Sequence, residues 1–192
     1  MTPVRLAERF SYKRLNYEHV TLKKNLALFS MKLALINNII RYLNDELQLL
    51  LSAANNAHQA AIDDQSIAET QYDTLAIEAG YLAEGQSRRV ESLKQAIISF
   101  EQLFEILKQR PAPHTSIKLG SIVQLAQEQT IGQYLFIAPA AAGYRCEVAG
   151  KKFTVITPES PMGQSLINQR LYDEVSITLG NTIHIDEITH LS

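Results

Sequence analysis

The sequence predicts an α+β chain: a long N-terminal antiparallel α-helical coiled-coil hairpin, then a small mixed domain. Apolar residues recur at alternating spacings of three and four from Leu33 to Leu107, which is the seam of paired helices. Arg110-Pro111-Ala112-Pro113 then stops the helical pattern, because proline cannot continue a helix and drives its predecessor toward extended geometry. Beyond it come short β-like runs separated by Gly, Pro and Asn.

The first arm of the hairpin carries Leu33, Ile36, Ile40, Leu43, Leu47, Leu50, Ala54, Ala57 and Ala61. The second carries Ala68, Tyr72, Leu75, Ala79, Leu82, Gln86, Arg89, Leu93, Ala96, Phe100, Leu103 and Leu107. Two such seams a few residues apart are expected to fold back on each other. The tip is placed near 62–67, where Asp63 and Asp64 are poor helix-interior residues and Ser66 with Glu69 reads as a capping box. If Ala61 faces Ala68, paired positions sum to about 129. Phe100, Leu103 and Leu107 then require Phe29, Leu26 and Leu22 as partners, so the hairpin is expected over 20–109, behind a basic extension at 1–19 that shows no clear period.

A linker at 110–115 leads to a domain at 116–192. Its expected strands are Ser121–Leu125, Gln133–Ala138, Lys152–Ile156, Val175–Leu179 and Thr182–Ile188, with one short helix at Pro161–Gln169.

Composition narrows the function classes. The chain has 192 residues, 46% of them hydrophobic, with 18 Lys/Arg against 20 Asp/Glu and no Trp. Basic residues gather at the start: Arg5, Arg9, Lys13, Arg14, Lys23, Lys24 and Lys32 stand against only Glu8 and Glu18. The remainder is net acidic, which disfavours a nonspecific nucleic-acid binder. A lone Cys146 excludes an internal disulfide framework and a cysteine-only zinc site, and fits a reducing cytoplasmic home. Lys32, Asn37, Asn38 and Arg41 interrupt the best candidate for a membrane span. The five histidines lack metal-ligand spacing, and no glycine-rich phosphate loop or Ser/His/Asp constellation occurs.

The stretch Pro158-Glu159-Ser160-Pro161-Met162-Gly163-Gln164-Ser165-Leu166, followed by Tyr172-Asp173-Glu174-Val175, resembles the C-terminal signature of the bacterial Gre-family (GreA/GreB-like) transcript-cleavage factors. In that family a strand runs into Ser-Pro-(Leu/Met)-Gly-x-(Ala/Ser)-Leu, and a Gly-Asp-x-Val-like segment follows. Ile117–Val123 is similar to the family's first strand of this domain, and Tyr134–Pro139 to its (Tyr)-x-(Ile/Val)-x-Gly-Pro strand. In the hairpin, Ala68–Asp73 and Tyr81–Gly85 resemble the family's Glu-Asn-Ala-Glu-Tyr and Phe-Leu-Glu-Gly segments.

The resemblance implies an FKBP-like C-terminal domain docked on the rim of the RNA polymerase secondary channel. It also implies a hairpin of about 60 Å, taking some forty residues at about 1.5 Å each, that reaches the catalytic centre. Tip carboxylates would help hold the polymerase's second Mg²⁺ and an attacking water, in two-metal hydrolysis of a backtracked transcript. On this reading Asp63, Asp64 and Glu69 are the catalytic and metal-contacting residues. Ser160, Pro161, Met162, Gly163, Arg88 and Arg89 are candidate contacts to polymerase, the two arginines also to the RNA 3′ end. The chain would need no cofactor of its own, would not be an enzyme by itself, and would act as a cytoplasmic monomer.

One departure bears on activity. Cleavage-competent members carry an Asp seven residues, and a Glu four residues, before the motif Tyr. Counting back from Tyr72 gives Gln65 and Ala68, with Asp64 and Glu69 each one position away. One step along a helix turns a side chain by about 100°. The bland alternatives are solvated turn residues at a helix N-terminus for Asp63 and Asp64, capping for Glu69, and an exposed charge with a seam-packed stem for Arg89. Channel occlusion without cleavage is the alternative function. The rivals from other classes are a peptidyl-prolyl isomerase, using Tyr134, Phe136, Tyr144, Phe153 and Tyr172, and a homodimeric coiled-coil scaffold.

Overall fold

A computed structural model of the chain describes residues 26–54, 56, 72–109, 115–129, 131–180 and 182–192, with side chains of the second helix described from residue 84 onward. The expected helix start near residue 20, the tip at 62–67 and nearly all of the 110–115 linker lie outside the described residues. The architecture is α+β: an N-terminal helical part, α1 (Leu26–Ala54) and α2 (Tyr72–Gln109), followed by a domain built on a six-stranded sheet.

The strands are β1 (Ile122–Leu125), β2 (Gln133–Ile137), β3 (Arg145–Val148), β4 (Lys151–Ile156), β5 (Glu174–Leu179) and β6 (Thr182–Leu191). One turn of helix, α3 (Ala126–Gln129), follows β1, and α4 (Pro161–Leu166) follows β4. The sheet order is β3-β4-β2-β1-β6-β5. β2 and β4 run parallel, and the other neighbouring pairs are antiparallel.

Alternation along the strands sorts the core onto two faces. Ile122, Phe136, Phe153 and Val155 turn toward the helical part, where they join Leu35, Ile36, Ile39, Leu43, Ile97, Phe100, Leu103 and Leu107. Val123, Leu125, Leu135, Ile137 and Ile156 turn the other way, to meet Leu166 of α4 and Val175, Ile177 and Ile188. The helices and one face of the sheet thus share one apolar cluster.

That sharing changes the helical stripe. Leu35 and Ile39 are buried, whereas the seam residues Leu33 and Ile40 are only partly so, because α1 faces the sheet as well as α2. Ile97 is buried in the same cluster as Phe100, Leu103 and Leu107. Leu26, expected opposite Leu103, is instead 66% exposed. Leu107 packs beside Gly120 of the loop before β1, so the sheet domain covers the end of α2. Lys32, which the sequence treats as an interruption, is buried, and burial with the nearby Lys118 charge lowers its amine to about 8. By length and composition α1 is apolar enough to cross a membrane. Of its most apolar window 28% is buried, chiefly at Leu35, Ile36, Ile39 and Leu43.

The domain departs from expectation at four places, the first being the one-turn helix α3. β3 was not anticipated: it is a short edge strand with an exposed–intermediate pattern, closed onto β4 by Ala149-Gly150, both at positive φ. That is the backbone of a tight hairpin turn, but Ala-Gly is a weak signal for it. The helix at 161–169 ends at Leu166, where Asn168 adopts φ 68° and its N–H donates to the Ile117 carbonyl. The last strand runs on to Leu191, because after an irregularity at Gln124/Leu125 its end pairs with β1.

Candidate functional site

The Ser160–Leu166 signature is built by local chemistry. Ser160 sits at the N-cap of α4 with extended backbone angles, and its Oγ accepts from the Gly163 N–H at 3.1 Å. The same hydroxyl donates to the Thr157 carbonyl at 2.7 Å. Pro161 takes the first helical position, where no N–H is needed. A Cβ at Gly163 would lie 1.9 Å from the Thr157 carbonyl oxygen, so only glycine lets α4 come this close to the end of β4. Leu166 is fully buried and Met162 packs on the same core, while Pro161 is exposed.

The second half of the signature lies beside the first. α4 packs on β5, which starts at Glu174. Asp173 Oδ2 accepts from the Arg170 N–H at 2.7 Å and fixes the turn into β5. Tyr172, at φ 73°, is 71% exposed. Ser160 and Gly163 therefore have structural work that accounts for their identity, whereas Pro161 and Tyr172 are at the surface, as are Glu159, Gln164 and Glu174.

Arg88 and Arg89 lie on the exposed stretch of α2 and are not brought together with that signature. Arg88 pairs with Glu84 at 2.6 Å, one turn back on its own helix. Arg89 reaches across to Glu46 of α1 at 3.6 Å, linking the two helices. Both side chains are more than half exposed, so these pairs hold the guanidinium groups weakly and leave them available. Asp63, Asp64 and Glu69 lie outside the described residues.

A cleft of about 470 Å³ has no signal in the sequence. It lies between Tyr42 and Glu46 of α1, Leu93 and Ala96 of α2, and the loop Ala140–Tyr144. Tyr144 donates its hydroxyl to Asn38 Oδ1 at 2.8 Å, and its ring stacks on Tyr42 with centroids 4.3 Å apart. Burial first, then Cys146 and Tyr42, raise the Tyr144 phenol, partly offset by Arg41, so it stays a neutral donor. Burial likewise raises the Cys146 thiol, which favours its protonated form. Neither contact has a local sequence signal, since Tyr144 and Asn38 are 106 positions apart.

The aromatics required by an isomerase do not line one pocket. Phe136 and Phe153 are buried under the helices, Tyr134 tilts against Phe153, and Tyr172 lies exposed beyond α4. Among the described residues, no group of three or more His, Cys, Asp or Glu side chains is placed to hold a metal ion. An isolated carboxyl pair is present: burial, then Asp186, push the Glu128 carboxyl up to about 7, against a hydrogen bond from the Leu125 backbone.

No family model matches the chain, and no curated protein matches it. It is similar to solved structures of the transcription factor Gfh1: one at 17% identity and TM-score 0.33, covering 84% of this chain and 93% of that one. A structure of GreA factor homolog 1 (Gfh1) from Thermus thermophilus aligns at 16% identity and TM-score 0.31, covering 83% of this chain and 94% of that one. Gfh1 from Thermus aquaticus aligns at 15% identity and TM-score 0.30, covering 81% of this chain and 90% of that one. At these TM-scores the likeness establishes neither a common activity nor a common arrangement of the parts.

Proposed function

We propose that the chain is a Gre-type accessory protein of bacterial RNA polymerase. Its helical part is an antiparallel coiled-coil hairpin that enters the secondary channel, and its sheet domain is an FKBP-like module that docks on the channel rim. The observation that carries this reading is the Ser160–Leu166 signature. Its serine caps a helix, its proline opens that helix and its glycine allows a close approach to a strand end, all in a domain that follows two long helices. The exposed Pro161, together with Arg88 and Arg89, supplies contacts to polymerase, and Met162 anchors α4 to the core. The chain is not itself an enzyme and carries no cofactor. It works on the Mg²⁺ of the polymerase, in the cytoplasm, as a monomer.

In the active form of this reading, Asp63 and Asp64 at the tip, with Glu69 behind them, approach that Mg²⁺. Their carboxylates help hold the ion and position the water that attacks the transcript phosphodiester. The displacement of these acids by one position, with Gln65 and Ala68 standing where the family has Asp and Glu, favours a second reading in which the hairpin fills the channel without promoting cleavage.

The test is transcript shortening in a halted, backtracked elongation complex with the cognate polymerase, comparing wild type with Asp63→Ala/Asp64→Ala. Cleavage by wild type, lost by at least tenfold in a double variant that still binds, supports the active reading. Binding that slows elongation with no shortening supports occlusion. Failure to bind polymerase overturns both.

A further inference from the structure

We propose that the outer face of the β5–β6 hairpin is a docking surface for the basic first 25 residues of the same chain. Pairing of β5 with β6 sets Glu174 opposite Glu187, Ser176 opposite Ile185, and Thr178 opposite Ile183. Val175 and Ile177 point to the other face and are buried, so the residues between them face outward. On that outward face Ile183 is 67% exposed and Ile185 57% exposed.

Single exposed isoleucines are ordinary. Here two adjoin on one face beside a directly opposed pair of carboxylates, an arrangement that costs stability unless a cation sits there. Residues 171–192 contain no Lys or Arg. The ion pairs formed among the described residues lie on α1 and α2, not on this hairpin. The surface therefore fits a partner that brings cationic and apolar side chains together.

The chain supplies such a segment. Residues 1–25 hold Arg5, Arg9, Lys13, Arg14, Lys23 and Lys24 against Glu8 and Glu18. Leu6, Phe10, Tyr12, Leu15 and Tyr17 are interspersed among them. The reach is sufficient. Lys32 of α1 feels the charge of Lys118, and the neighbouring Ile117 is hydrogen-bonded to Asn168 and Gln169, just ahead of β5. α1 and β5 therefore begin near the same end of the domain, and 25 extended residues span up to about 80 Å.

The full chain carrying Cys146→Ser and a nitroxide at Ser11→Cys tests this by isoleucine-methyl NMR. Ile183 and Ile185 are expected to lose more than half of their intensity, with the exposed Ile98 of α2 unaffected. Arg9→Glu/Lys13→Glu/Arg14→Glu is expected to abolish the loss, and adding Glu174→Lys/Glu187→Lys to restore it. Equal broadening of Ile183 and Ile98, or broadening indifferent to charge reversal, would overturn the proposal. So would broadening seen only when label and isotope sit on different chains, since the occupant would then be a second copy.

Discussion

Glu128 shows what the fold does to one side chain. Its carboxyl is half-buried, faces the Asp186 carboxylate, and has one oxygen, Oε2, buried without a partner among the described residues. Its pKa of about 7 lies above the ordinary 4.5, so the folded protein binds this proton more tightly than the unfolded chain does. The contribution is complete below the ordinary value and is lost as pH rises from about 4.5 to about 7. Glu128→Gln removes the titration. The variant should match wild type near pH 4.5 and exceed it at pH 8 by about 1 kcal/mol, a figure discounted for partial exposure. Parallel melting-temperature profiles for the two proteins across that range would contradict this. Lys32 carries the opposite strain, a buried amine held at about 8, which disfavours the folded state while that amine is charged.

Among the elements, α4 is the most tightly specified. A methyl group at Gly163 meets the Thr157 carbonyl oxygen at 1.9 Å, which side-chain rotation cannot relieve. Gly163→Ala should therefore push α4 away from the end of β4 and cost about 2–4 kcal/mol. A lowered urea midpoint with an unchanged slope is the expected result, and an unshifted midpoint would show that α4 is not held this way. The same element shows what sequence can reveal. Ser160, Pro161 and Gly163 announce α4 because their roles are local. The apolar seam also announces both helices. Sequence could not give the burial of Leu35, Ile39 and Ile97, which lie off the seam and join a cluster that includes sheet residues far along the chain. β3 was hidden by its edge position and its Ala149-Gly150 turn, and α3 by being one turn long. The Tyr144–Asn38 bond and the cleft beside it arise from folding alone. Of the candidate site, the signature and the two arginines could be read and then located, whereas Asp63, Asp64 and Glu69 lie outside the described residues.

At the scale of the whole molecule, the decisive feature is the continuous interior from α1 and α2 into the sheet. Phe100, Leu103 and Leu107 belong to the same apolar cluster as Phe136, Phe153 and Val155. A broad apolar contact resists the domain motion that a polar linker would permit. Tyr144, stacked on Tyr42 and bonded to Asn38, ties the 140–144 loop to α1 at the edge of that contact. The described part of the helices is thus held to the sheet domain at its base, which is a mechanical requirement of the proposed function. The most direct measurement places a chelated iron at Asp64→Cys, in the Cys146→Ser background, and binds this protein to a halted complex of its cognate polymerase. Hydroxyl-radical cuts centred within a few nucleotides of the RNA 3′ end are the result the account predicts. Binding with cuts confined to the outer surface of the polymerase would contradict it.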